Sequence, residues 1–118
     1  MDLHVRDPEP DRVVLCPAGE VDMATADALG AAITDALGRP GVREVLVDLA
    51  DVGFLDSSGV RVLVHGVALA RERDVTLRVA NPQPVVARVL RITAVGALLG
   101  LPDDHTERPA ARGRRGLG

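Results

Sequence analysis

The sequence predicts a single α/β domain on a mostly parallel sheet of four to five strands, with about three or four helices. Three observations predict it. Short β-rich apolar runs alternate with stretches whose apolar residues recur every three to four positions, the pattern of strands joined by right-handed helical crossovers. The chain has 118 residues, the size of one domain able to bury a core without disulfides or metals. Its apolar fraction of 47% and charged fraction of 26% are those of an ordinary globular protein.

Taken in order, LHVRD at 3–7 alternates apolar and polar residues like a short strand, and PEPD breaks it. RVVLCPAG at 12–19 is β-branched and apolar and reads as a second strand, ending at Pro17–Gly19 or lying near an edge. The two are expected to pair as a hairpin across PEPD. DMATADALGAAITDAL at 22–37 reads as a helix with Asp22 as N-cap, a face made by Ala26, Leu29, Ile33, Ala36 and Leu37, and a stop at Gly38 and Pro40. Gly30 weakens this helix by roughly 1 kcal/mol relative to Ala.

EVLVDLA at 44–50 is nearly continuous in apolar character, as expected of a strand covered on both faces, and runs into a loop at 51–55. A second helix is expected from Ser57 to about Arg73, with Val60, Leu63, Val64 and Val67 on one stripe. VTLRVA at 75–80 is a further strand. Asn81 and Pro82 then open a third helix with Val85, Val86, Val89 and Leu90 on one face. Residues 1–102 form the expected domain. Residues 103–118 have no apolar periodicity and read as a disordered, Arg-rich tail, whose deletion is expected to leave fold and binding intact.

Composition excludes several classes of function. All 14 basic residues are Arg, and residues 1–102 carry ten of them against fourteen acidic residues, a balance unlike a DNA-binding surface. Phe54 is the only aromatic, so stacking on bases or sugars has little to work with. Cys16 stands alone inside an apolar stretch and reads as a small buried hydrophobe; there is no disulfide framework or cysteine metal cluster. The N-terminus has no apolar run and no stretch approaches about 18 apolar residues. The expectation is a cytoplasmic protein with no cofactor, no direct nucleic-acid contact and no membrane contact.

The segment FLDSSGV at 54–60 stands where a strand should give way to a helix. Functional groups of open α/β sheets collect at the carboxyl ends of strands. Asp22 lies at the corresponding end of the second strand, so GEVD at 19–22 and LDSSG at 55–59 are expected to share one edge of the sheet. The simplest reading of Asp56 or Ser57 is a helix cap, worth about 1 kcal/mol. Gly59 weakens the helix interior but would let something approach the backbone closely.

A serine nucleophile would need a base and an oxyanion hole. The segment is not a Gly-x-Ser-x-Gly elbow, since Leu55 and Asp56 stand two before the serines. His65 lies roughly two turns from Ser57 and off its register. A phosphate cradle would need glycines and a Lys that are absent, and Asp22, Asp48, Asp51 and Asp56 lack the spacing of metal ligands. A further reading is a switch: phosphorylation of Ser57 would add about −1.5 to −2 charge beside Asp56 and near Asp22. The helix dipole would partly offset that repulsion.

GEVD followed by VLVDLADVGFLDSSGVRVLV and VTLRVANPQPVVARVL resembles the STAS domain of bacterial anti-sigma factor antagonists, over roughly residues 3–101. The resemblance implies a STAS fold and a non-enzymatic partner-switching role in transcription regulation. In such proteins the antagonist binds an anti-sigma factor that is also a serine kinase of the histidine-kinase-like ATPase fold, releasing the sigma factor. ATP-dependent phosphorylation of the serine after the Asp, here Ser57, breaks the complex, and a serine phosphatase restores it. Glu20, Asp22, Asp56, Ser57, Ser58, Gly59 and Arg61 then fall at the partner-binding edge. The family often has Gly-Leu-Gly after the two hydroxyls, where this chain has Gly59-Val60-Arg61. The alternative is a STAS scaffold or regulatory subunit that binds another partner without being phosphorylated.

Overall fold

The computed structural model describes residues 1–93 and 98–100. Five strands and three helices follow in the order β1 (Asp2–Glu9), β2 (Arg12–Val21), α1 (Ala26–Leu37), β3 (Glu44–Asp48), β4 (Asp51–Leu55), α2 (Ser57–Glu72), β5 (Thr76–Ala80) and α3 (Pro84–Ile92). The expected Arg-rich tail at 103–118 lies outside the described residues.

β1 and β2 form the expected antiparallel hairpin, closing at Glu9 opposite Arg12. β3 runs parallel to β2, and β5 parallel to β3, giving the order β1-β2-β3-β5. The segment 51–55, expected as a loop, is a strand: β4 pairs in parallel with β2 from Ala18–Asp51 to Val21–Leu55. β3 and β4 thus follow one another along β2. Nine steps from Arg12 to Val21 are matched by eleven from Glu44 to Leu55. The two surplus residues are taken up at the β3–β4 turn and at Gly53. In the turn Asp48 Oδ1 accepts from the Ala50 N–H at 3.0 Å and the Leu49 carbonyl accepts from the Val52 N–H at 3.0 Å.

This arrangement also explains Pro17, which does not end β2. It falls in the gap between Leu15, the last partner of β3, and Ala18, the first partner of β4. A residue without an N–H is tolerated in a central strand only where no ladder bond is required. Gly19 then adopts φ +105° beside the register shift between Gly19 and Glu20. Only glycine takes that conformation without strain. The glycine of GEVD therefore lies opposite the bulge that Gly53 makes in β4.

α1 packs against α2, and both lie against the sheet. The core is aliphatic: Leu15, Leu29, Ile33, Val45, Leu63 and Leu77 are buried together. All five apolar residues assigned to the face of α1 are buried. The helix begins at Ala26 rather than Asp22, because residues 22–25 form a turn of their own. Of the α2 stripe, Val60, Leu63 and Val67 are buried and Val64 is half-buried. β3 is not covered equally on both faces: Val45 and Val47 are buried, whereas Glu44, Leu46 and Asp48 are half-buried. Cys16, expected inside, is also only half-buried.

α3 starts two residues later than expected. Asn81 takes a left-handed conformation, φ 56°, and Gln83 is extended as N-cap, so Pro84 occupies the first helical turn. The Asn81 amide donates to Asp48 Oδ1 at 3.3 Å and the Gln83 amide to the Ala50 carbonyl at 2.8 Å, tying this entrance to the β3–β4 turn. Val86 and Leu90 are buried as expected, but Val85 is exposed.

Candidate functional site

β2 and β4 end side by side, and the chain leaves each of them into a helical segment. The Asp56 N–H donates to the Val21 carbonyl at 3.1 Å, extending the ladder one residue beyond Leu55. GEVD and LDSSG are thereby neighbours, as their positions at two strand ends predicted. Val21 and Leu55 point into the core, both at 2% exposure or less. Glu20 and Phe54, paired one residue earlier, are exposed, as the alternation of a strand requires.

Two acidic residues at this edge, Asp56 and Asp22, organise backbone through their carboxylates. The Asp56 carboxylate accepts from the Ser58 N–H at 2.8 Å and, through the same Oδ1, from the Gly59 N–H at 3.3 Å. It is the N-cap of α2, satisfying two donors that every helix start leaves open. Asp22 is not the cap residue of α1. Its Oδ1 accepts from the Ala24 and Thr25 N–H groups at 2.9 and 3.1 Å and from the Thr25 hydroxyl at 3.2 Å. That turn hands the chain on to Thr25, the N-cap position, whose hydroxyl reaches back to the Glu20 carbonyl at 2.9 Å. Glu20, Asp22 and Thr25 therefore form one hydrogen-bonded corner.

Ser57 is the first residue of α2 and is exposed; its hydroxyl makes no hydrogen bond to another described residue. Ser58 is half-buried, its N–H held by Asp56. Gly59 is buried, and what approaches its backbone is the protein itself: Leu55 and Val21 fill the space a side chain would need. Arg61 is exposed one turn along α2 from Ser57. It borders a cleft of about 230 Å³ between α1 and α2, lined also by Gly30, Ile33, Val62 and Leu69. His65 is on that cleft too, away from the serines.

Sequence reasoning missed two residues. Met23 is 81% exposed in the turn after β2, and Phe54 is 44% exposed on β4. Large apolar side chains beside an unpartnered hydroxyl make this edge suited to docking a protein surface. A lone Met carries no periodic signal. Phe54 did carry one, as the single aromatic of a chain that leaves it outside its own core.

The sequence profile of a family described as "Mlab, STAS domain" matches residues 4–100. The chain belongs to the STAS domain family. This STAS domain is 24% identical over 88 residues to the anti-sigma F factor antagonist of Paenibacillus polymyxa, covering 75% of each chain. Its fold is that of the anti-sigma factor antagonist SpoIIAA. The unphosphorylated form superposes with TM-score 0.73 at 20% identity over 90% of this chain and 92% of that one. The phosphorylated form gives 0.66 at 19%, over 90% and 96%. An anti-sigma factor antagonist from Mycobacterium paratuberculosis is 27% identical, with TM-score 0.71 over 88% of this STAS domain and 87% of its own length. Among the described residues no helix is long and apolar enough to cross a membrane.

Proposed function

We propose that this STAS domain is an anti-sigma factor antagonist, a binding module rather than an enzyme, which docks a serine-kinase anti-sigma factor and is released by phosphorylation of Ser57. The observation that carries this reading is the bare Ser57 hydroxyl, presented at the first turn of α2 beside the end of β2. The docking edge comprises Glu20, Asp22, Asp56, Ser58 and Arg61, with Met23 and Phe54 as its apolar part. Gly59 acts from beneath, by setting how closely α2 lies on Leu55. In the transfer, the Ser57 oxygen forms a bond to the γ-phosphorus of ATP and the bond to the bridging oxygen of ADP breaks. The hydroxyl proton leaves to a base of the kinase. The product places a doubly charged group next to Asp56, which disfavours a partner that fits the unphosphorylated surface. A serine phosphatase, hydrolysing the ester, returns the docking form.

The test is to mix the purified protein and ATP with each histidine-kinase-like anti-sigma factor of its host and to record intact mass and the modified peptide. Gain of one phosphoryl group on Ser57 is expected. A stable complex without gain of mass would overturn the switch. It would leave a second reading, a STAS scaffold or regulatory subunit for another protein, acting from the cytoplasm. That reading is supported by the match of residues 4–100 to the family described as "Mlab, STAS domain".

A further inference from the structure

We propose that Arg61 is the built-in acceptor of the Ser57 phosphate, so that phosphorylation removes a cation from the docking edge as well as adding an anion. The inference rests on the reading of Ser57 as the modified residue. Ser57 and Arg61 are four apart on α2 and both exposed, so their side chains are neighbours on one face of the helix. Arg61 makes no hydrogen bond or ion pair with another described residue, and its guanidinium is free to swing toward position 57. The usual alternative for a phosphate at a helix start is the cluster of free N–H groups. Here two of them, on Ser58 and Gly59, are already taken by the Asp56 carboxylate. A phosphate would have to displace that carboxylate to use them.

The other charged groups near this edge are Asp56 itself, Glu20 and Asp22 from the end of β2, and Asp27 in the first turn of α1. All are acidic, so Arg61 is the cation that the local sequence supplies. His65, a further turn along the helix, lies on the α1–α2 cleft. A charge-assisted pair between phosphate and guanidinium is stronger than a neutral hydrogen bond and can be bidentate. Before phosphorylation Arg61 is available to an acidic residue of the partner. Afterwards it is engaged within the chain, and the edge is left with its carboxylates unopposed.

The experiment supplies the phosphate without a kinase. Phosphoserine is introduced at position 57 of the full chain during translation, and the second ionisation of the phosphate is followed by phosphorus NMR. An ester phosphate titrates near pH 6. Pairing with Arg61 favours the dianion, so its midpoint should lie below that of the Arg61→Met variant by about half a pH unit. Arg61→Met keeps the aliphatic stem against the cleft, and Arg71→Met removes an equal charge from the last turn of the same helix. Arg71→Met should titrate with the unsubstituted protein. Equal midpoints with and without Arg61, or an equal shift in Arg71→Met, would overturn the pairing. Neither result bears on whether a kinase chooses Ser57, which the mass measurement decides separately.

Discussion

The α-carbon of Gly59 sits so close to Leu55 that a Cβ built on it would stand 2.3 Å from Leu55 Cδ1 and 2.9 Å from Val21 Cγ1. The start of α2, and with it Ser57, is thus pressed onto the ends of β4 and β2. Gly59→Ala should destabilise the fold by about 1–3 kcal/mol through overpacking, although Ala is the better helix former. Gly30→Ala is the control. A Cβ there meets Val62 at an ordinary 3.6 Å, so the same change should stabilise α1 by up to about 1 kcal/mol. Urea denaturation of the two variants should move the midpoint in opposite directions.

Asp56 holds the first turn of α2 through two N–H groups. Asp56→Ala should lower stability by about 1 kcal/mol, and Asp56→Asn or Asp56→Ser should recover most of it. Thermal unfolding followed by circular dichroism separates these outcomes. Equal loss in all three variants would mean that the carboxylate acts through its charge rather than as a cap.

Substitution at Ser57 should separate docking from release. Ser57→Ala is expected to bind the partner kinase as tightly as the unsubstituted chain and to persist in the complex when ATP is added. Ser57→Asp and Ser57→Glu are expected to bind at least tenfold more weakly, about 1.4 kcal/mol. Titration calorimetry with and without ATP reads both. Equal affinity across the three variants would remove the switch.

Phe54 is half outside, so its truncation should leave the fold almost unchanged. Exposed aromatics at a docking edge are the residues most often worth more than 1 kcal/mol to binding. Phe54→Ala should therefore weaken the partner complex by about tenfold or more while shifting the melting temperature by no more than a few degrees. A large fall in stability with unchanged affinity would place Phe54 in the protein's own structure instead.

Much of this was legible in the sequence, because helices with a continuous apolar stripe and strands of β-branched residues announce themselves locally. α1 and α2 were readable from Leu29, Ile33, Leu63 and Val67. The junction at Asp56–Gly59 was readable because a strand pattern meets a helix pattern there. β4 was not readable. Its buried residues, Val52 and Leu55, are three apart, because the extra residue at Gly53 breaks the period of two. Pro17 misled for a related reason: its tolerance depends on where β3 ends and β4 begins, which is a fact about partners and not about β2. Pro82 and Pro84 satisfy the same rule for a helix start. Only the left-handed Asn81 and the extended Gln83 decide between them.

The outer strand β1 has a role that its position at the margin of the sheet implies. An unpaired strand margin is a template on which another chain can add, the first step toward fibrous aggregates. Here that margin is mainly polar, with Asp2, His4, Arg6, Asp7 and Glu9 exposed along it beside one exposed apolar side chain, Val5. Its ladder with β2 is irregular between Arg6 and Glu9, where Pro8 lies. A chain arriving to extend the sheet would meet charges, a missing donor and an irregular register. β1 thus guards a protein whose interior is almost wholly Val, Leu, Ile and Ala, the composition for which unwanted strand pairing is the greatest hazard.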